Sequence, residues 1–581
     1  MALRRGVSLV LILIVVAVAA SAAGLLLLYA AMGREPAVAT HSTLVIRLGG
    51  DLNENAPAGL FGAFVEAPPT LREIVEMLRK AKVDRRISSV IIKPTGEAAL
   101  WGKIQEVRDA IADFRSSGKP IVAYMEYGGE QEFYLASACD KVYLAPTSTL
   151  DLTGMASYEL FLRGTLDKIG AYPDGMHIGE YKTALNEFTE KDYTPAHREM
   201  AESLNDDMYD QLIRGIADGR HKSEADVRSL VDHGPFLPED AIKAGLIDDV
   251  AYEDELPNKV KLSPEGLKPL DMNDYRDVSA AGLGLDKGPR IAVIYADGLI
   301  ASGRSSYASA DGQVVGSDTL DEYLKKASND SSIKAIVLRV NSPGGSAIAS
   351  DIIWRAVSQA KARKPLIASM SDVAASGGYY ICMPASAIVA QPSTLTGSIG
   401  VVLEKFVIDG TLHKLGLNMD GVSKGHFAEM YSPIRPFTPE ERARMAEQMQ
   451  ATYDTFVEKA AQGRNTTPEK IDAIGQGRVW TGRQAKQIGL VDELGGLRRA
   501  IALAKQRARI PQDSEVELVV YPPKPTFYDL LRNPLGGQDN AVTLGSLLGL
   551  QSPRALQALA APLRVFRRGE PLALMPNVFV H

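Results

Sequence analysis

The sequence predicts two tandem copies of a mostly parallel α/β domain behind one N-terminal membrane-spanning segment. Three observations carry this. Short apolar strands alternate with helices through each half of the chain. Three anchors recur: Gly164-Thr-Leu-Asp-Lys-Ile-Gly170 returns as Gly410-Thr-Leu-His-Lys-Leu-Gly416, Ala244-Gly-Leu-Ile-Asp-Asp-Val250 as Ile488-Gly-Leu-Val-Asp-Glu-Leu494, and Pro120-Ile-Val-Ala-Tyr-Met125 as Pro365-Leu-Ile-Ala-Ser-Met370. Their separation is nearly constant, roughly 245 residues, as two copies of one unit require. Finally, no charged residue falls between Gly6 and Gly33, a run rich in Leu, Val, Ile and Ala. At about 1.5 Å per residue it spans a hydrocarbon core of about 30 Å.

Taken in order, residues 1–42 read as a cytoplasmic stub, the anchor and a polar tether. Arg4 and Arg5 precede the apolar run, so the N-terminus stays cytoplasmic and the rest crosses. The rival is a secretory signal cut after Ala20-Ser-Ala22. That cut leaves Ala23-Gly-Leu-Leu-Leu-Leu-Tyr29 as a still membrane-loving terminus, which favours an uncleaved anchor. Residues 43–265 form the first copy and 290–521 the second. Paired strand candidates are Thr43–Arg47 and Arg290–Tyr295, Ser89–Lys93 and Ala335–Val340, Pro120–Met125 and Leu366–Met370, Lys141–Leu144 and Ala387–Ala390. Helices are expected near Trp101–Arg115 and Ser350–Ala362. Pro, Gly, Lys and Asp accumulate between, so 266–289 reads as a linker. Residues 522–581 are a tail belonging to neither copy. Within it Leu556, Leu559, Leu563 and Phe566 recur at helical spacing beside Arg564, Arg567 and Arg568, with Pro562 interrupting. Such a basic amphipathic stretch docks on its own protein or lies on a membrane.

At 581 residues the chain is too long for one domain. Net charge is −7, with no basic block, so nucleic acid is not an expected partner. The two cysteines, Cys139 and Cys382, take near-equivalent places and read as small core residues. No Cys or His cluster has zinc-ligand spacing. No Walker-type loop or dinucleotide fingerprint is present. Neither a metal nor a nucleotide cofactor is implied.

The chemistry is divided between the halves. Ser376, in Ala374-Ala-Ser-Gly-Gly-Tyr-Tyr380, follows a strand and precedes a helix. Small neighbours let a carbonyl approach, and the Gly377 N–H stands ready for an oxyanion. Taken alone this is an ordinary helix cap. But the same copy carries Asn341-Ser-Pro-Gly-Gly-Ser346 after a strand, where Gly344 and Gly345 permit strained backbone. The first copy has Lys93-Pro-Thr-Gly-Glu-Ala98 there and lacks the Gly-Gly pair. A serine needs a base. Lys182, in Gly179-Glu-Tyr-Lys-Thr183, falls opposite Ala428 in the register of the repeat, while Ser376 falls opposite Glu130 or Gln131. A lone lysine is usually a solvated surface residue. The complementary losses instead point to one composite site. The competing base is His426, inside the serine copy.

Asn341-Ser-Pro-Gly-Gly345, Ala374-Ala-Ser-Gly-Gly-Tyr-Tyr380, Thr396-Gly-Ser-Ile-Gly400 and Gly179-Glu-Tyr-Lys-Thr183 together resemble the signal peptide peptidase A family in its long, duplicated bacterial form. The likeness runs from the anchor to about Val520. It implies ClpP/crotonase-like domains and a membrane-anchored serine protease with a Ser/Lys dyad. Ser376 would be the nucleophile and Lys182 the general base. Gly377 with Gly344 or Gly345 would form the oxyanion hole, and Ser398 would hydrogen-bond the lysine. Substrates would be remnant signal peptides and other short hydrophobic peptides. The catalytic domains would lie on the outer, periplasmic side of the bacterial inner membrane, in a bowl-shaped homotetramer without cofactor. Two other classes remain open on the residues: an acyl-CoA enzyme of the same fold, and an inert membrane scaffold.

Overall fold

The computed structural model describes residues 36–50, 52–55, 68–97, 99–260, 268–309, 312–523, 570–576 and 579–580, with the single residue 16. The anchor and the amphipathic stretch near Leu556–Arg568 lie outside the described residues. Among the described residues no helix is long and apolar enough to cross a membrane.

The first copy opens with β1 (Ser42–Gly50), β2 (Ile87–Glu97), β3 (Ile121–Met125) and β4 (Lys141–Leu144). β5 (Ser157–Tyr158), β6 (Tyr172–Ile178), β7 (Asp249–Val250) and β8 (Pro269–Asp271) follow. Among the described residues six of these form a parallel sheet in the order β7-β4-β3-β2-β1-β8. Its central strands are apolar runs because helices cover the sheet. The Leu71–Val83 helix starts at a capping box between Thr70 and Glu73 and buries Leu71, Ile74, Val75 and Leu78. The Trp101–Arg115 helix buries Ile104, Val107, Ile111 and Phe114.

The second copy repeats this plan. β9 (Arg290–Asp297), β10 (Leu299–Ala301), β11 (Ser306–Ser309) and β12 (Gly312–Gly316) lead to β13 (Ile333–Ser342) and β14 (Gly344–Ser346). Next come β15 (Leu366–Ala375), β16 (Ala387–Ala390), β17 (Leu395–Gly397) and β18 (Val401–Val407). β19 (Val479–Thr481), β20 (Glu493–Leu494) and β21 (Glu517–Tyr521) complete it. The tail adds β22 (Leu572–Leu574) and β23 (Phe579–Val580). The main sheet runs β19-β17-β15-β13-β9-β21, with β16 and β20 branching from β15. A further sheet, β11-β12-β10-β14-β22-β18-β6, joins the copies: β18 and β6 pair antiparallel from Val401↔Ile178 to Val407↔Tyr172.

Three features depart from the sequence reading; one is the tail's β22, which pairs with β14 and β18 and so joins the second copy's sheet. Pro269–Asp271, inside the stretch read as a linker, pairs parallel to β1 and extends the first sheet. The helix expected from Ser350 begins at Ala347, capped by the Ser346 hydroxyl. Cys139 and Cys382 are buried and unpaired.

The copies are locked by a buried charge cluster. Arg339, on β13, donates to Glu54 and Glu106 of the first copy at 2.7 and 2.8 Å. Asp372, on β15, accepts from the Lys103 backbone N–H at 2.7 Å. Removing one partner of such a cluster costs about 3–5 kcal/mol, because a buried charge is left unpaired. Both strands lead directly to the candidate site, so this lock fixes its register across the copies.

Candidate active site

Ser376 stands where β15 turns into the short Gly377–Cys382 helix. Its φ of 54° is a conformation that side-chain-bearing residues rarely adopt. The turn is held at both ends. Ser376 N–H donates to Gly397 O at 2.8 Å, and Tyr380 N–H donates to Ser376 O at 2.8 Å. Strain of this kind persists only where surroundings over-determine it.

Lys182 reaches that turn from the other copy. It follows β6 and precedes the Thr183–Leu185 turn. Its Nζ lies 2.8 Å from Ser376 Oγ, 2.8 Å from Ser398 O and 2.9 Å from Ser398 Oγ. Lys182, Ser376 and Ser398 are all fully buried. Burial pushes the Lys182 pKa well below the ordinary lysine value. A neutral amine donates two hydrogens and offers one lone pair. In the neutral form, with both hydrogens on the Ser398 oxygens, the lone pair would face the Ser376 O–H.

Glycines of the second copy make room for the lysine. A Cβ on Gly477 would stand 2.5 Å from the N, Cα and Cβ of Lys182; one on Gly400 would stand 2.9 Å from its Cδ. Backbone bonds stitch the three loops together: Tyr181 N–H to Gln476 O, Gly477 N–H to Ile399 O and Ser398 N–H to Arg478 O, each 2.7 Å. Sequence reasoning missed Gly477; it is almost 300 residues from Lys182 along the chain, and only the shared fold makes them neighbours.

The Gly-rich loop lies beside the serine. A Cβ on Gly344 would stand 2.7 Å from Gly377 N, and one on Gly377 would stand 2.6 Å from Ser350 Oγ. Gly344 and Gly345 have φ of 105° and 150°. The Gly344 N–H donates to Ser342 Oγ at 3.2 Å, so it is already engaged. As the first residue of its helix, Gly377 has an N–H with no intrahelical acceptor. His426 is elsewhere. Its ring is 67% exposed and pairs with Glu440 at 2.9 Å. Ala428, the lysine's counterpart, is also exposed.

The model of peptidase family S49 matches residues 113–265 and 358–511, one segment in each copy. The chain belongs to peptidase family S49. The first matched segment contains Lys182, and the second contains Ser376 and Ser398. The chain is 38% identical over 457 residues to the chloroplastic serine protease SPPA of Arabidopsis thaliana, covering 78% of this chain and 67% of that one. It is 34% identical over 521 residues to Protease 4 of Salmonella typhi, covering 87% and 81%. It is 30% identical over 511 residues to Protease 4 of Haemophilus influenzae, covering 83% and 82%. This S49 member is therefore a serine peptidase of the long, duplicated form. That decides against the acyl-CoA enzyme and the inert scaffold.

Proposed function

We propose that Ser376 and Lys182 are the catalytic dyad of this peptidase, and that it degrades remnant signal peptides and other short hydrophobic peptides. The observation that carries the reading is the buried Lys182 amine, 2.8 Å from Ser376 Oγ and held by both oxygens of Ser398. A neutral amine is the only strong base within reach of that hydroxyl among the described residues.

The reaction follows. Lys182 takes the proton of Ser376 as Oγ adds to a peptide carbonyl. The oxyanion is met by the Gly377 N–H, with the Gly344–Gly345 loop as its second wall. Lys182 then returns the proton to the departing amine. Water, deprotonated by the same lysine, hydrolyses the acyl-serine. Ser398 orients the lysine throughout. Signal peptides enter this reading through a relative: the Enterococcus faecium protein named putative signal peptide peptidase SppA is 34% identical over 194 residues.

ClpP/crotonase-like domains stand on the outer side of the bacterial inner membrane, held by the Gly6–Gly33 run. Four chains form a ring. Leu415, Leu417, Met419 and Val422 are exposed together on one loop, and such a patch favours burial against further copies.

The test is cleavage of a synthetic signal peptide. Ser376→Ala and Lys182→Ala should each lower kcat/KM by about 10⁴-fold or more, in chains that keep wild-type circular dichroism. His426→Ala should change it less than about twofold. Activity of Lys182→Ala near wild type would end the dyad reading.

A further inference from the structure

Beside the lysine, an ion pair joins the two copies. Arg478 precedes β19 and follows Gly477, the glycine packed on the Lys182 backbone. Its Nη1 donates to Glu199 Oε1 at 2.6 Å. Glu199 belongs to the Pro195–Arg220 helix of the first copy. Its other oxygen, Oε2, accepts from the Tyr181 hydroxyl at 2.9 Å. The guanidinium also stands over two rings, with Cζ 4.7 Å from the Tyr181 centroid and 4.6 Å from that of Trp480. Arg478, Glu199 and Tyr181 thus close a ring of contacts, and Tyr181 is the residue before Lys182.

The backbone of the same arginine reaches the other side of the amine. Arg478 O accepts from the Ser398 N–H at 2.7 Å. Ser398 in turn holds Lys182 Nζ through both of its oxygens. One residue therefore grips the lysine's chain neighbour with its side chain and the lysine's hydrogen-bond partner with its carbonyl. A surface ion pair contributes little to stability, and Glu199 is 57% exposed. Arg478 differs, since its side chain is only 16% exposed. A planar guanidinium that stacks on a ring while donating to a carboxylate is fixed in direction, which an ammonium is not. Arg478 and Tyr181 together hold the Glu199 carboxyl below the usual carboxylate range.

The repeat ties these charges to the lysine. The Pro195–Arg220 and Pro439–Arg464 helices match at both ends, capped by Thr194 and Thr438 and closed by His221 and Asn465. In that register Glu199 falls opposite Ala443. The Ala244–Val250 and Ile488–Leu494 anchors set Arg478 opposite Gly234, and Phe427 stands for Tyr181 beside Ala428. The place without the lysine thus lacks both charges and the hydroxyl that links them. Packing of the shared fold gives no reason for the three losses to coincide.

We propose that Arg478 is a positioning residue for this peptidase: paired with Glu199 and stacked on Tyr181, it holds the Lys182 amine against Ser398 and Ser376. The proposal rests on the dyad reading above. Arg478 touches no reacting atom and acts through Tyr181. Without its guanidinium the Lys182 segment keeps its backbone bonds but loses its side-chain tie to the second copy. The amine then shifts from Ser398 and water reaches it.

The test is cleavage of the synthetic signal peptide across pH by full-length wild type, Arg478→Met, Glu199→Gln, the double variant and Lys182→Ala, each checked by circular dichroism. Methionine keeps most of the stem and removes the guanidinium. Arg478→Met should lower kcat by about 10- to 10²-fold, as for a displacement approaching 1 Å. KM should stay within about twofold, because no contact with the peptide is lost. The acid limb of kcat/KM should move to higher pH by about one unit, since a hydrated lysine titrates nearer its ordinary value. A merely destabilised chain would lose activity at every pH and leave that limb in place. Glu199→Gln, at an exposed position, should move the limb the same way by less. It should cost nothing further in the Arg478→Met chain, because both act through one contact. Glu199→Gln alone carries the test where Arg478→Met does not fold. An unchanged kcat, an unmoved acid limb, a loss confined to KM, or additive losses in the double variant would each overturn the proposal. Failure of the dyad reading looks different: Lys182→Ala would cleave the peptide near the wild-type rate, whatever Arg478→Met does.

Discussion

The two copies use the same two places in the fold in opposite ways. In the second copy β15 runs on to Ala375 and hands the chain straight to Ser376. In the first copy β3 stops at Met125, and a loop intervenes before the Glu130–Ala136 helix. The positions opposite the serine do structural work there. Glu130 Oε1 accepts from the N–H groups of Thr153 and Gly154 at 2.9 and 3.2 Å, and Gln131 donates to Ala99 O at 3.1 Å. The lysine loop shows the reverse. Around Lys182 it is clamped and buried, whereas residues 424–428 of the second copy are exposed. On the proposed dyad each copy keeps one half of the site and uses the other place as scaffold.

The sharpest way to break this comparison is to exchange a glycine on each side. Gly477→Ala places a methyl 2.5 Å from the lysine backbone, at a φ of 79°. The Lys182 loop must move, and a displacement of about 1 Å costs about 10²-fold in kcat/KM. Gly96, in the first copy at a φ of 72°, has nothing within 4 Å of its added Cβ. Gly96→Ala should therefore cost about 1 kcal/mol of stability from backbone strain alone and leave kcat/KM unchanged. Equal losses of activity from both substitutions would remove the clamp from the account.

pH gives the next effect. On the proposed dyad the active form of Lys182 is neutral, and burial holds its pKa well below the ordinary value. Below that lowered pKa the amine is protonated, and kcat/KM should fall about tenfold for each unit of pH; above it the rate should reach a plateau. Stability runs the same way. Between the lowered and the ordinary lysine pKa the unfolded chain binds the extra proton, so folding stability attributable to this residue rises with pH. Lys182→Met should abolish that component. The difference in denaturation midpoint between Lys182→Met and wild type should shrink as pH rises toward the ordinary lysine range. A difference independent of pH would show that the buried amine is not the titrating group.

A smaller effect is expected at Ser398. Ser398→Ala removes one of the three Nζ contacts and leaves the backbone oxygen in place. Loss of one hydrogen bond of about 1–1.5 kcal/mol corresponds to roughly a tenfold fall in kcat. Ser398→Thr keeps the hydroxyl and should recover most of it if the role is to orient the amine.

These residues differ in how readable they were. Ser376 and Lys182 stood out because duplication supplies a built-in comparison: each has a counterpart that lost its chemistry. Most strands were legible from apolar runs, since a sheet covered by helices demands them. Gly477 was invisible because its role is a close approach created by tertiary packing. β8 was missed because three residues opening on Pro269 carry no strand pattern; only the free edge of β1 makes them a strand. β22 was hidden for a related reason. Leu572-Ala-Leu574, set between prolines, is too short to show period two, and its strand character comes from the two edges it joins.

The smallest effect tests whether the conversion to scaffold is complete. Glu130 holds two backbone N–H groups where the second copy has its serine. Thr153 is exposed and Gly154 half-buried, so both groups can turn to water when the carboxylate is lost. Glu130→Ala should then lower stability by about 1 kcal/mol, the net worth of such bonds, and leave kcat/KM within twofold of wild type. Glu130→Ser in a Ser376→Ala chain is the stricter case. It restores a hydroxyl to the right turn of the wrong copy. The second copy's answering segment carries Ala428 on an exposed loop, and the first copy keeps no Gly-Gly pair after Lys93-Pro-Thr. A serine there has neither base nor second oxyanion wall, so it should recover no measurable peptide cleavage. Recovery would mean that the first copy retains a working half-site, and that the division of labour between the copies is one of degree.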